Sequence, residues 1–236
     1  MTTPDIHLKT PPGPGRFQLP DPPENPEDKM TSFDRLTING NAHYLKQHLV
    51  DRRPEERDRI LVAGDRYTVA EPSRYLAGGR YPDLLVAFDV DPAAYQASNG
   101  YIIAEQRKPP DFVLEIASRS SGREDTGPKR QDYAAIGIPE YWRFDETGEH
   151  HGERLAGDRL ENGEYAAIEI AELPDGSLQG YSAMLDLYLR WEAGELVFYD
   201  PVTNRPILTY EDQRARADST EARVRELERL LRQQNL

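Results

Sequence analysis

The run Phe112–Ala117 constrains the fold of this chain more than any other stretch. Five of its six residues are apolar, and the exception, Glu115, lies near its end. A short apolar run without polar alternation predicts a strand buried on both faces, which requires a sheet covered on each side. Because an unpaired carboxylate is costly to bury, Glu115 also indicates a polar site built into that sheet.

Other segments predict that this sheet is mixed and flanked by helices. Apolar residues at helical spacing predict one helix over Ile38–Val50, and a second over Pro128–Ile136 begins at a proline and stops at Gly137. Between them, Ser118–Gly127 is predicted to be a polar loop. The predicted strands are Arg59–Val69 (turned at Gly64-Asp65), Tyr81–Asp89, Phe112–Ala117 and Tyr141–Phe144, followed by hairpins about Glu161-Asn162-Gly163-Glu164 and Glu192-Ala193-Gly194. This order of elements predicts an α/β fold.

The two ends of the chain differ from this central part. Residues 1–30 hold eight of the nineteen prolines, which predicts an extended or disordered arm before a domain over 31–210. Residues 211–236 contain no glycine or proline, and Val224, Leu227 and Leu231 share one heptad stripe, which predicts a C-terminal helix. Two interpretations stay open: this helix packs on its own domain, or it forms a coiled coil in a homodimer.

Composition excludes several kinds of site. The chain has no cysteine, which rules out disulfides, thiolate zinc sites and cysteine nucleophiles. Any metal is therefore expected to be a hard cation held by carboxylates. Its apolar runs are too short to span a bilayer and its N-terminus lacks signal-peptide features, so a cytoplasmic protein without a membrane partner is expected. The net charge of -13 counts against tight binding of free nucleic acid.

Two carboxylates on predicted strands are the strongest candidates for chemistry. Asp83 follows Pro82 at the start of one apolar strand, and Glu115 lies near the end of another. If the strands are neighbours, the two acids converge and repel, and a divalent cation relieves that repulsion. The backbone carbonyl of Ile116 is a natural further oxygen ligand. Pairing of each acid with an arginine, or a turn-capping role for Asp83, remains the alternative.

The block from Pro82 to Trp142 resembles the Uma-two family of restriction endonucleases, part of the PD-(D/E)XK nuclease superfamily. The resemblance extends over roughly residues 31–200 and depends on Pro82-Asp83, Pro110–Ser118, Asp125, Lys129, Tyr133 and Gly137–Trp142. It implies a restriction-endonuclease-like mixed sheet flanked by helices. It also implies that Asp83 and Glu115 bind Mg²⁺ (or Mn²⁺) beside a phosphodiester of DNA.

One departure from the superfamily pattern concerns its lysine. The pattern places lysine two residues after the glutamate, where this chain has Ala117. The resemblance moves that role to Lys129 on the following helix, four residues before Tyr133 and therefore on the same helix face. It implies that the Lys129 ammonium orients the attacking water and stabilises developing charge. Ser118, Asp125 and Tyr133 are predicted to support this catalytic set.

Two functions from different classes remain open at this point. The first is a Mg²⁺-dependent endonuclease-like phosphodiesterase acting on DNA, although hydrolysis of a small phosphate ester would use the same residues. The second is a nuclease-fold binding or assembly module, favoured by the acidic charge and by Ala117. Arg119, Arg123 and Arg130 are the predicted phosphate contacts. His150-His151 is predicted to be an ordinary loop, because no spacing there indicates a zinc site.

Overall fold

A computed structural model describes residues 17–22, 41–73, 76, 78–118, 122–207 and 225. Its helices are α1 (Asn41–Arg52), α2 (Pro92–Ser98), α3 (Ile103–Gln106), α4 (Gly122–Thr126) and α5 (Pro128–Ala135), with a 3-10 helix at Pro54–Arg59. Its strands are β1 (Leu61–Ala63), β2 (Thr68–Val69), β3 (Leu84–Ala87), β4 (Tyr101–Ile102), β5 (Phe112–Ile116), β6 (Glu140–Phe144), β7 (Leu155–Glu161), β8 (Glu164–Ala167), β9 (Ile170–Glu172), β10 (Leu178–Ser182), β11 (Leu187–Glu192), β12 (Glu195–Asp200) and β13 (Arg205–Pro206).

The central sheet is mixed, as the sequence predicts. Its strand order within the described residues is β1-β3-β5-β6-β7-β8. β5 and β6 run parallel, joined by a crossover that contains α4 and α5, whereas the other neighbours are antiparallel. A tight turn reverses the chain and so joins only antiparallel strands, and a parallel pair therefore needs a longer crossover. The predicted α/β fold with a mixed sheet flanked by helices is confirmed.

Strand β5 separates two apolar layers. Its residues alternate, so Phe112 and Leu114 face one layer while Val113 faces the other. The first layer contains Trp142, α1 and strands of a second sheet, and the other contains α5 with its Tyr133. The first four residues of β5 are all buried, which confirms that this run is covered on both faces. Glu115 shares the face of Val113 and therefore points toward α5.

A second, antiparallel sheet covers one face of the first and was not predicted. Its order within the described residues is β13-β12-β11-β10-β9, and Leu187, Leu189 and Phe198 join the same core as Trp142. The two predicted hairpin turns are confirmed, with positive φ at Asn162-Gly163 and at Ala193-Gly194, as tight β-turns of this kind require.

Two predictions about local structure are wrong, and one segment was not predicted. Arg59–Val69 is not one strand but two, β1 and β2, which belong to different sheets because the chain turns away at Asp65 with a φ of 52°. The predicted loop Ser118–Gly127 contains α4, whose five residues are too few for helical periodicity to be detected. The α2–β4–α3 segment, Pro92–Gln106, was also missed.

Part of the predicted arm packs on the domain. Leu19 is buried with Tyr67 and Ile102 in a small apolar cluster. The Leu19 N–H donates to the Ser98 carbonyl at 2.9 Å, and Asn99 Nδ2 donates to the Leu19 carbonyl at 3.0 Å. Residues 17–22 thus contain no helix or strand but pack on the domain, and the rest of residues 1–30 lies outside the described residues.

Apart from Arg225, the predicted C-terminal helix lies outside the described residues, so the helix and the homodimer through residues 211–236 stay predictions. In the part of the chain that is described, no helix is both long enough and apolar enough to cross a bilayer.

Glu140 joins the two sheets through a buried carboxylate. It accepts hydrogen bonds from Ser182 Oγ at 2.5 Å, Ala183 N–H at 2.9 Å and Trp142 Nε1 at 3.2 Å. We expect Glu140→Ala to lower the free energy of unfolding by about 2–4 kcal/mol, because several buried donors lose their acceptor. Urea unfolding measures this loss, with the exposed Glu164→Ala as control. A loss no larger than that of the control would contradict the structural role.

Candidate active site

The two predicted carboxylates lie at the same end of β3 and β5. The β3–β5 register pairs Leu84 with Leu114, so one further step places Asp83 opposite Glu115. Asp83 Oδ2 accepts a hydrogen bond from the Ile116 N–H at 2.6 Å. Gly64, just after β1, packs directly against the Asp83 backbone, and a side chain does not fit there because its Cβ would lie 2.0 Å from the Asp83 carbonyl oxygen.

Both carboxyls hold their protons more tightly than usual. Burial raises the pKa of Asp83 well above its ordinary value, and the charge of Glu115 raises it further, against the lowering effects of the Ile116 N–H and Lys129. Burial also raises the pKa of Glu115, to about 7, because it outweighs the attraction of Lys129. Two neighbouring carboxyls in such surroundings ionise at a cost, which a bound cation reduces.

Lys129 lies in the same hydrogen-bonded network. It stands in the first turn of α5, just after Pro128, and its Nζ donates to Glu115 Oε2 at 2.8 Å and lies 2.7 Å from Asp125 Oδ1. Burial lowers the pKa of Lys129, but Glu115 and Asp125 raise it by more, so the net shift is upward. Lys129 is therefore an ammonium at neutral pH. It can donate hydrogen bonds but cannot accept a proton.

Tyr133 holds the other oxygen of Glu115. Its hydroxyl donates to Glu115 Oε1 at 2.5 Å, from a fully buried position on the same face of α5 as Lys129. Burial, followed by the nearby charge of Glu115, raises the pKa of Tyr133 well above its ordinary value, so it remains a hydroxyl donor. Each carboxylate oxygen has two lone pairs, and these two hydrogen bonds leave Glu115 able to bind a further ligand.

The oxygen atoms at this strand end suit a hard divalent cation. Asp83 and Glu115 would supply two carboxylates, and the Ile116 carbonyl a third ligand. No group of three or more histidine, cysteine, aspartate or glutamate side chains in the described residues is placed to hold a metal ion, so water must complete the shell. Mg²⁺ is commonly held in this way, by one or two carboxylates with several waters. The residues present fit Mg²⁺ or Mn²⁺.

The predicted supporting residues and arginines differ in where they lie. The Ser118 carbonyl accepts a hydrogen bond from the Gly122 N–H at 3.3 Å, which places Ser118 at the start of α4. Arg130 donates to both oxygens of Asp158, at 2.9 and 3.1 Å, and to the Tyr165 carbonyl at 2.7 Å. Asp158 on β7 therefore pairs with Arg130, and the role of Arg130 as a phosphate contact stays a prediction. Arg119 and the side chain of Arg123 lie outside the described part.

His151 is a site neighbour that the sequence did not reveal. It was predicted to be an ordinary loop residue, yet its side chain is 1% exposed and its Nε2 lies 2.9 Å from Asp125 Oδ2. Asp145 shapes the loop by accepting four backbone N–H bonds, two of them from His150 and His151. The Asp145-Glu-Thr-Gly sequence could have predicted that turn. The contact with Asp125 has no local sequence signal, because the two residues are 26 positions apart.

The raised pKa of Glu115 predicts a pH-dependent stability in metal-free protein. The folded state binds the proton more tightly than the unfolded chain, with pKa about 7 against 4.5, so this stability is present below pH 4.5 and lost as pH rises toward 7. The full loss is about 3 kcal/mol. Urea unfolding between about pH 5 and pH 8 should show this fall in wild type and less of it in Glu115→Gln. The exposed Glu124→Gln serves as control, and identical slopes in all three proteins would contradict the assignment.

Comparison with known families matches residues 37–192 to the Uma2 family, described as “Putative restriction endonuclease”. No curated protein matches the chain. A solved structure from Anabaena variabilis ATCC 29413, described as “a putative nuclease belonging to DUF820”, aligns with 57% of this chain and 73% of its own at 13% identity, with a TM-score of 0.32. A TM-score this low does not establish a shared fold. The family match covers most of the chain and confirms the resemblance found in its sequence. The chain belongs to the Uma2 family of restriction-endonuclease-like proteins.

Proposed function

We propose that this protein is a Mg²⁺- or Mn²⁺-dependent endonuclease that hydrolyses phosphodiester bonds in DNA. The observation that carries the proposal is the convergence of Asp83, Glu115 and Lys129 at one strand end, with Lys129 Nζ 2.8 Å from Glu115. Membership of a restriction-endonuclease family supports nuclease chemistry on this fold. Two adjacent carboxylates and one buried ammonium are also the groups that phosphoryl transfer needs.

Each residue has a distinct part in the proposed reaction. Asp83, Glu115 and the Ile116 carbonyl would hold the cation, and a cation there would supply positive charge that polarises the phosphate and favours deprotonation of water. In hydrolysis, the oxygen of a water forms a bond to phosphorus and loses a proton to solvent, while the ester P–O bond on the opposite side breaks and the leaving oxygen takes a proton from solvent. Lys129 stays protonated, so it stabilises negative charge on the phosphate oxygens rather than removing a proton. Tyr133 keeps Glu115 in its ligand orientation.

Charge makes the cation necessary for substrate binding as well as for chemistry. Within the hydrogen-bonded set, the carboxylates of Asp83, Glu115 and Asp125 oppose the single ammonium of Lys129. Burial makes these acids costly to ionise without a cation, and wherever they are ionised they repel an approaching phosphodiester. Cation binding therefore precedes productive binding of DNA. The whole chain, at -13, adds to the repulsion that must be overcome.

A cleavage assay tests the proposal. Wild-type protein is incubated with plasmid DNA, single-stranded DNA and bis(p-nitrophenyl) phosphate, each with Mg²⁺, Mn²⁺ or EDTA. Metal-dependent cutting of DNA that is absent from an identically purified Glu115→Ala preparation supports an endonuclease. Hydrolysis of bis(p-nitrophenyl) phosphate alone would indicate that the substrate is a small phosphodiester and not DNA.

A second candidate is a nuclease-fold module that binds a partner without cutting it. The acidic surface charge favours it, because nucleases usually carry a basic footprint for the phosphate backbone. The same assay separates the two functions. If wild type cleaves none of the three substrates with either metal, the binding module is favoured.

A further inference from the structure

His151 is held in place by its own loop before it reaches the site. Its N–H and that of His150 donate to Asp145 Oδ2 at 2.8 and 2.7 Å, which fixes the backbone just after β6. Gly122, the first residue of α4, packs directly on this loop, since a Cβ there would lie 2.5 Å from the His150 carbonyl oxygen. The loop and α4 are therefore in close contact, and the imidazole of His151 is buried between the loop and Asp125.

The hydrogen bonding of the imidazole indicates one tautomer. Nε2 lies 2.9 Å from Asp125 Oδ2, a distance at which a ring N–H donates to a carboxylate. Nδ1 is buried and has no hydrogen-bond partner in the described part of the chain. A proton on Nδ1 alone would bury an unsatisfied donor and leave Nε2 unable to donate to Asp125, so Nε2 is the nitrogen that carries a proton.

The Asp125 carboxylate lies between His151 and Lys129 and contacts both. One carboxylate oxygen, Oδ2, faces His151, while the other, Oδ1, lies 2.7 Å from Lys129 Nζ. The Tyr141 hydroxyl donates to the Asp125 carbonyl at 2.8 Å, which fixes the backbone of Asp125 but not its side chain. α4 has only five residues, and the direction of the Asp125 carboxylate is set by what each oxygen bonds. A donor at His151 Nε2 therefore determines where Oδ1 holds the ammonium.

We propose that His151 is a positioning residue that acts through Asp125 to hold the Lys129 ammonium beside Glu115. The proposal rests on the proposed function, in which Lys129 stabilises charge on the phosphate. It explains why a lysine on a separate helix, rather than on the strand of Glu115, is held accurately. Glu115 Oε2 contacts the ammonium from one side at 2.8 Å, and Asp125, oriented by His151, contacts it from the other.

The test uses substitutions that separate hydrogen bonding from packing. His151→Gln keeps an N–H donor near the position of Nε2, whereas His151→Leu fills similar space without a donor. His150→Leu is the matched control, because that neighbouring side chain is exposed. The first readout is the NMR signal of the Lys129 ammonium, which is seen when hydrogen bonds slow its proton exchange. The chain has five lysines, and Lys129→Met assigns the signal.

We expect the Lys129 ammonium signal in wild type, His150→Leu and His151→Gln, and its loss in His151→Leu. In the cleavage assay, His151→Leu should lower kcat roughly tenfold to a hundredfold with KM unchanged, and His151→Gln should restore most of it. An unchanged lysine signal in His151→Leu, or the same loss in His151→Gln, would overturn the proposal.

A second measurement covers the case in which His151→Leu fails to fold. Long-range ¹H–¹⁵N spectra of wild type, with His151 assigned from His151→Gln, report which ring nitrogen carries the proton. A proton on Nε2 supports the proposal, and a ring that carries its proton only on Nδ1 contradicts it. If wild type cuts none of the substrates, the proposed function fails, but the lysine signal and the tautomer still decide the role of His151.

Discussion

Asp83→Asn is expected to lower metal-dependent DNA cleavage about a thousandfold, or about 4 kcal/mol of transition-state stabilisation. The asparagine amide removes one of the two charged ligands. It keeps an oxygen that can accept the hydrogen bond from the Ile116 N–H, which in wild type is 2.6 Å long. Burial and the nearby charge of Glu115 make the Asp83 carboxyl costly to ionise. Replacing it with a neutral amide removes that cost, so the metal-free fold should be at least as stable as wild type. The loss should therefore be one of chemistry and metal binding, not of folding.

Thermal melts with and without cation separate these effects. Mg²⁺ or Mn²⁺ should raise the melting midpoint of wild type by mass action, because the ion binds the folded site, and should leave that of Asp83→Asn unchanged. Asp111→Asn is the matched control, since Asp111 is another partly buried aspartate that pairs with Lys108 at the opposite end of β5. An equal metal-induced shift in wild type and Asp83→Asn would mean that cations only screen the acidic surface.

The part of this site that the sequence predicts is the part carried by strong local patterns. Phe112–Ala117 is so apolar that only a covered strand explains it, and the carboxylate within it then requires a partner or a function. The spacing of Lys129 and Tyr133 placed both on one face of a helix, and both bond Glu115 in the structure. The period of a helix or strand and the cost of burying charge account for these positions, whereas the choice of Lys129 and Tyr133 as site residues came from the family resemblance.

The part that sequence could not predict depends on contacts between distant segments. His151 meets Asp125 only because the loop after β6 packs on α4, a helix too short to leave a periodic pattern. Arg130 resembles a free cation in sequence, yet Asp158 on β7 binds it. The hairpin at Ala193-Gly194 was predicted, but nothing local shows that its strands form a second sheet with β9, β10 and β13. Local propensity specifies turns more clearly than it specifies which sheet a strand joins.

Lys129 offers the sharpest separation of metal binding from catalysis. Unlike Asp83 it is not a metal ligand in the proposed reaction, so its removal should slow the chemical step without preventing cation binding. Its ammonium also lies between Glu115 and Asp125, at 2.8 and 2.7 Å. Removing it leaves two buried carboxyls without their shared cation, and breaking such a pair costs about 3–5 kcal/mol. Rates must therefore be compared below the melting midpoint of the variant.

Under those conditions Lys129→Met should lower kcat for DNA cleavage roughly a hundredfold to a thousandfold, the usual effect of losing one group that stabilises transition-state charge. The Mg²⁺-induced rise in melting midpoint should persist, because Asp83, Glu115 and the Ile116 carbonyl remain and the repulsion that the cation relieves has increased. Lys108→Met is the control for breaking a partly buried lysine–carboxylate pair away from the site, and it should leave kcat unchanged. Full activity in Lys129→Met would remove the lysine from the mechanism. Loss of the metal-induced shift would instead make Lys129 part of the cation site, since its removal and that of Asp83 would then have the same effect.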